Sequence, residues 1–279
     1  MKKVLLSLAA AVLVFTGCGK KVDRLEEFKT AFSKIESAEM KIEAKMGLEQ
    51  DGMNVDVNIP MTMKVSEKGL YVKLEKNTFI EQNIELYGSI EKEKMTLYIP
   101  NFDEEFNIKE GFMKLELDLN DEDFKDFTEN LDEAKVEMKD LNKYLTDKVI
   151  VFVEEKDGLD YYQFVINDDL LKKIAEDNDE EYENVNMEIK FDVYIDSKTK
   201  TLSKIEFDLK EFFNDYMNSD LADEESLEDF DVYAEMIKTL LFTIEFKNIN
   251  NTTITIPQDV IDNAVDISGL LDMDSLSEY

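Results

Sequence analysis

Residues 40 to 65 read MKIEAKMGLEQDGMNVDVNIPMTMKV. Met40, Ile42, Ala44, Met46 and Leu48 alternate with Lys41, Glu43, Lys45 and Glu49. An apolar residue at every second position is the period of a strand with one face buried and one in water. Gln50-Asp51-Gly52 supplies turn residues, and after it Met53, Val55, Val57, Ile59, Met61, Met63 and Val65 again fall on one face. The two runs therefore predict a long, two-faced hairpin. Pro60 lacks the N–H a ladder needs and predicts a bulge or an edge position.

Working outward, the same period continues through Leu70 to Leu74, Ile84 to Ile90, Met95-Leu97-Ile99 and Met113-Leu115-Leu117-Leu119. Glu67-Lys68-Gly69 and Glu91 to Lys94 fall between these runs as turns, so the reading is an antiparallel meander. From residue 120 to 146 the period lengthens, with Phe124, Phe127, Leu131, Met138, Leu141 and Leu145 at helical spacing. Strands resume at Val149 to Glu154 and Tyr161 to Ile166 around Asp157-Gly158, and a second short helical insertion is expected over 168–177. Met187, Ile189, Phe191, Val193 and Ile195 then form a strand, Asp196 to Lys200 turns, and Ile205, Phe207 and Leu209 return. An acidic insertion spans 211–233. A last strand carries Phe242, Ile244, Phe246 and Ile249 and leads to Ile254-Thr255-Ile256-Pro257. Upstream of the opening hairpin, Asp23 can cap a helix with Leu25, Phe28, Phe32 and Ile35 on one stripe. The reading is one domain over 23–264, followed by a flexible tail at 265–279.

The first residues have a different character. Lys2-Lys3 is followed by an apolar run from Val4 to Phe15 and by Thr16-Gly17-Cys18. A basic start, a short apolar core and small residues before a cleavage point are the parts of a secretory signal peptide. The run is too short for a membrane-crossing helix, which needs about 20 apolar residues. Phe15, Thr16, Gly17 and Cys18 resemble a lipobox, which implies cleavage after residue 17 and a diacylglycerol on the Cys18 thiol. Residues 18–22 would then be a lipidated tether, and the chain would be anchored on the extracytoplasmic side of a membrane in a bacterial cell envelope.

Composition narrows the chemistry. Lys plus Arg number 32 and Asp plus Glu 65, a net charge of −33. Such a surface repels phosphates and anionic headgroups, which argues against nucleic acid and against adhesion to a membrane by charge. The covalent lipid has to hold it there. Eighteen Phe and 11 Tyr within 43% hydrophobic residues place the chain among folded proteins. One cysteine leaves no internal disulfide, and the absence of histidine removes the usual base of hydrolase triads and the commonest zinc ligand. Acidic runs at Asp121-Glu122-Asp123, at Asp177 with Asp179, Glu180 and Glu181, and at Asp223-Glu224-Glu225 lack the ligand spacing of a calcium loop. The expectation is a monomeric protein with no catalytic residues, no metal and no cofactor beyond the lipid on Cys18.

Two stretches carry a resemblance. YIDSKTKTLSKIEFDL, Tyr194 to Leu209, and ITIPQDVIDNA, Ile254 to Ala264, resemble the recurrent hairpin and the C-terminal ending of the LolA/LolB/LppX-like superfamily of exported lipid carriers and related surface lipoproteins. The order of helix, meander and inserted helices also resembles that plan, apart from the acidic insertion, which has no counterpart there. The resemblance implies an α+β fold: a strongly curved antiparallel sheet, a half-open β-barrel, with amphipathic helices covering its concave apolar face. It also implies an apolar ligand such as a lipid acyl chain. The residues expected to line that face are Met40, Ile42 and Met46; Val55, Val57, Met61 and Met63; Met95, Leu97, Met113 and Leu115; and Phe191, Val193, Phe207, Phe242 and Ile244. Methionine suits a lining for variable ligands, and it equally plugs irregular gaps in any core. The alternative is therefore a structural or interaction lipoprotein with a filled core and an acidic surface that meets an envelope protein.

Overall fold

A computed structural model of the chain describes residues 24–50, 53–78, 80–103, 108–118, 144–177, 188–210 and 237–268. The signal peptide, Cys18, the tether, Asp23, nearly all of the helical insertion expected over 120–146, Met187, the acidic insertion and residues 269–279 lie outside them.

The chain enters through helix α1, Arg24–Ser33, whose Phe28 and Ala31 are buried. Ile35, next on the stripe, is 3% exposed just past the helix. The opening hairpin follows as β1, Ala38–Gln50, and β2, Met53–Ser66, paired from Ala38↔Val65 to Gln50↔Met53. The meander continues through β3 (Gly69–Leu74), β4 (Ile84–Glu91), β5 (Lys94–Phe102) and β6 (Ile108–Asp118). A second meander runs through β7 (Ile150–Lys156), β8 (Leu159–Asn167), β9 (Glu188–Asp196), β10 (Leu202–Asp208) and β11 (Ile237–Lys247), with helix α2 (Asp168–Asp177) between β8 and β9. Helix α3 (Gln258–Asn263) and the two-residue β12 (Val265–Asp266) close the described chain.

These elements form a 12-stranded sheet in the order β12-β6-β5-β4-β3-β2-β1-β11-β10-β9-β8-β7. It is open: β12 and β7 are its two ends. Every neighbouring pair is antiparallel except β12 with β6. β1 stands at the centre and joins the two meanders, with β2 on one side and β11 on the other. Asp157 and Gly158, at φ 54° and 81°, form the two-residue turn between β7 and β8; both lie in the left-handed region, as a type I′ turn requires. Pro60 occupies an edge-like position, as expected. It pairs with Glu43 on one side, while on the other the β3 pairing stops at Met61 and only its carbonyl is used, accepting from the N–H of Glu75 at 3.0 Å.

Two apolar clusters sit on opposite faces. The larger packs α1 and α2 over the β7–β10 end: Phe28 meets Tyr162 edge-on at 5.5 Å and Phe164 at 6.3 Å, and Leu170 of α2 is buried in the same cluster. The smaller holds Tyr87, Tyr98 and Val260, with Tyr71, Phe112 and Ile256 against it. Here the C-terminal segment lies across the other side of the sheet. The tail expected from residue 265 is thus corrected at its start. Val265 and Asp266 pair with Met113 and Lys114, Ile267 N–H donates to Lys114 O at 2.9 Å, and the Ser268 hydroxyl accepts from Glu116 N–H at 2.9 Å. Backbone bonds to an otherwise free β6 edge hold these residues in place.

A candidate apolar binding face

Strand register carries the apolar residues of both meanders onto the face that α1 and α2 share. One row runs Tyr162, Val193, Ile205, Ile244, Ile42, Met61, Leu74 and Ile84, from β8 across to β4. A second runs Phe164, Phe191, Phe207, Phe242, Ala44 and Ile59. Its four phenylalanines contact ring to ring at 5.6, 5.1 and 5.1 Å, the last pair within 5° of parallel. Further rows join Phe246, Met40, Met63 and Val72, and Leu97 with Leu115.

All the residues expected to line an apolar site lie on this face, but at different depths. Met40, Phe191 and Val193 are buried in the packed cluster, at 5%, 9% and 1% exposure. All three belong to the buried cluster that α1 and α2 join. Val57 is buried at 1% too, whereas Val55, near the hairpin turn, is 44% exposed. Ile42, Met46, Met61, Met63, Met95, Leu97, Met113, Leu115, Phe207, Phe242 and Ile244 are half-buried. The face is thus a packed core toward β7 and a half-buried apolar surface toward β6.

The seam at the core's edge is ionic. Asp160 stands two residues before Tyr162 on the same face and is fully buried. Lys200 Nζ donates to its Oδ2 at 2.9 Å, and Arg24 Nη1 stands 3.3 Å from its Oδ1, an ion-pair contact. Glu27 completes the ring, 3.1 Å from Lys200 and 3.0 Å from Arg24, and accepts from the Tyr162 hydroxyl at 3.2 Å. Arg24, the single arginine of the sequence, also lies 4.0 Å over the Phe152 ring. Burial works against the charge of Lys200, but its bonds to Asp160 and Glu27 outweigh that and its pKa is raised. Sequence reading missed this ring. Its signal was an aspartate at an inward position of an alternating strand, directly before Tyr161-Tyr162. The turn that presents Lys200 is built by Asp196, whose Oδ1 accepts from Lys198 N–H at 3.0 Å and Thr199 N–H at 2.7 Å.

On the opposite face an open pocket of about 180 Å³ lies between Lys64, Tyr71, Tyr87 and the segment Thr253 to Pro257. Tyr87 donates its hydroxyl to Glu85 at 2.6 Å. Tyr71 is pushed up to about 12 by burial and, next, by the charge of Glu85. Among the described residues no group of acidic side chains is placed to hold a metal ion, and no helix is long and apolar enough to cross a membrane.

No family model matches the chain, and no curated protein matches it. Among solved structures it is similar to the lipoprotein LppX of Mycobacterium tuberculosis, at 9% identity over 83% of this chain and 97% of that one, with a TM-score of 0.35. It is also similar to a DUF1329 family protein from Desulfovibrio piger, at 11% identity over 85% and 92% of the two chains, with a TM-score of 0.22.

Proposed function

We propose that this chain is an envelope lipoprotein, anchored through a diacylglycerol on Cys18, whose half-open sheet binds an apolar group such as a lipid acyl chain. The observation that carries the reading is the division of one continuous apolar face. Its β7 end is a buried core beneath α1 and α2 that reaches Met40 on β1, whereas Met46, Met61, Met63, Met95 and Met113 on β1–β6 are half-buried. Adaptable thioethers beside branched aliphatic side chains suit a ligand without fixed shape. Native mass spectrometry of the protein lacking residues 1 to 18, mixed with palmitic acid and with phosphatidylethanolamine, tests it. A 1:1 adduct is expected, and a bare protein at every lipid concentration would sink the reading.

The packed state of Met40, Phe191 and Val193 favours a second reading, an interaction lipoprotein whose core is filled and whose acidic surface meets a basic envelope protein. In that case the same spectra show no lipid adduct.

A further inference from the structure

We propose that the open pocket beside residues 253 to 257 binds a zwitterionic headgroup of the phosphocholine type, with its phosphate at Lys64 and its methylated ammonium over Tyr71 and Tyr87. This pocket lies on the face away from α1 and α2, and nothing in the proposal depends on the apolar-ligand reading.

The anionic half of the ligand is read from Lys64. Five other half-buried lysines, Lys29, Lys73, Lys114, Lys200 and Lys204, each have a carboxylate within 4.0 Å. Lys64 has none among the described residues. Its register neighbour on β1 is Glu39, which is engaged elsewhere and accepts from Asn248 Nδ2 at 2.9 Å. The Lys64 ammonium stands instead 5.7 Å from the ring centroid of Tyr71, on β3. The strap beside it also has bonding capacity left over. Exposure alternates along residues 251 to 256, the mark of an extended segment, yet among the described residues no backbone group of 253 to 256 is hydrogen-bonded. An ammonium next to free N–H groups and the hydroxyls of Thr253 and Thr255 is the chemistry that holds a phosphate.

The cationic half is read from the other end of the pocket. The Tyr87 hydroxyl is given to Glu85, which leaves its ring for a ligand. After burial, the charges of Glu85 and Glu75 raise the pKa of Tyr71, and the hydrogen bond and charge of Glu85, then the charge of Asp259, raise that of Tyr87. Negative charge therefore gathers around both rings. Lys73 reaches Glu75 at 4.0 Å, but among the described residues no lysine or arginine pairs with Glu85 or Asp259. Carboxylates and ring quadrupoles together favour a cation there, and aromatic rings are the usual receptors of a methylated ammonium.

The two ends are ordered along the strap. It leaves Ser37, just ahead of β1, where Thr252 N–H donates to the Ser37 hydroxyl at 3.4 Å, and it arrives at Val260, packed against Tyr87 and Tyr98. Thr253 thus lies toward Lys64 and Asp259 toward Tyr87. A bare phosphate would approach a chain carrying −33, and a bare ammonium would leave Lys64 unmatched. The volume of about 180 Å³, below the roughly 300 Å³ of a drug-sized pocket, admits a headgroup and not a larger body.

Calorimetric titration of the full chain in dodecyl maltoside tests this, with phosphocholine, phosphoethanolamine, choline and inorganic phosphate as separate probes. Phosphocholine should bind at 1:1, and choline and phosphate should each bind about tenfold more weakly or worse, since each forfeits one charged contact. Lys64→Met should weaken phosphocholine about tenfold while strengthening choline slightly, because choline loses a like charge. The opposite signs separate a lost ligand contact from a damaged fold. Lys64→Arg should retain most of the phosphocholine affinity, as a guanidinium also pairs with phosphate. Glycerophosphocholine tells the sources apart: binding as tight as phosphocholine points to the phosphodiester of a lipid headgroup, and weaker binding to the free monoester, and either result upholds the site. No heat from phosphocholine, phosphoethanolamine binding as tightly, or phosphocholine affinity unchanged by Lys64→Met overturns the proposal.

Discussion

At the scale of single residues, the ring of Arg24, Glu27, Asp160 and Lys200 is the feature with most at stake. Two cations and two carboxylates balance, so the buried Asp160 is tolerated only while its partners stay. Asp160→Ala leaves Lys200 facing Glu27 alone beside an apolar wall and should cost about 3 kcal/mol of stability, the cost of breaking a buried pair. Removing both charges together, as Asp160→Leu with Lys200→Met, should recover the loss to within about 1 kcal/mol, because an apolar replacement of a whole pair is often neutral. Urea denaturation of the three proteins measures both values, and equal losses for the single and double variants would show that packing, not charge, governs this site.

At the scale of elements, the strap formed by residues 251–268 closes a face that the opening hairpin does not predict. Its underside is aromatic, with Tyr71 and Tyr87 at 5.1 Å and Tyr87 and Phe112 at 5.9 Å. Burial raises the pKa of Tyr71 to about 12 and raises that of Tyr87 as well. An acid whose folded pKa lies above its unfolded value of about 10 stabilises the neutral form. Its contribution is complete below pH 10 and is lost as pH climbs through 12. Titration followed at 295 nm should therefore show an early group of tyrosines near pH 10 and a late group that ionises together with unfolding. A single early wave with the fold intact would mean that the strap does not shelter them. The strands themselves were legible, because a one-sided period of two survives any tertiary context. This aromatic patch was not: Tyr71, Tyr87 and Tyr98 occupy the alternate positions, where a phenol reads as a polar, water-facing residue. Asp160 was hidden for a related reason, as one of 65 acids whose single distinguishing mark is the face it occupies.

At the scale of the whole molecule, net charge bears directly on the proposed anchor. A chain carrying −33 is repelled by anionic headgroups, so under the proposed function its hold on a membrane would rest on Cys18. Cys18→Ala should move the protein from the membrane pellet to the supernatant on cell fractionation, at low and at high salt alike; a variant that stays in the pellet would refute the anchor. The division of the sheet into a packed and a half-buried end belongs to this scale as well. Alternation tells which residues share a face, and it carries no information about where on that face a helix will dock, so Phe191 and Met95 were indistinguishable until the docking of α1 and α2 separated them.

The central place of β1 has a consequence for biogenesis. β1 lies early in the chain and β11 late, yet Glu39 pairs with Lys247. The β1–β6 meander consists of local contacts and can zip up early, whereas the junction with β11 must wait for almost the whole domain. During that interval the second edge of β1 is an unpaired row of backbone donors and acceptors with an apolar face beside it, open to pairing with another unfinished chain. The step that completes this sheet is thus the slow one and the one most exposed to aggregation, and a chaperone that helps this protein should act by covering β1.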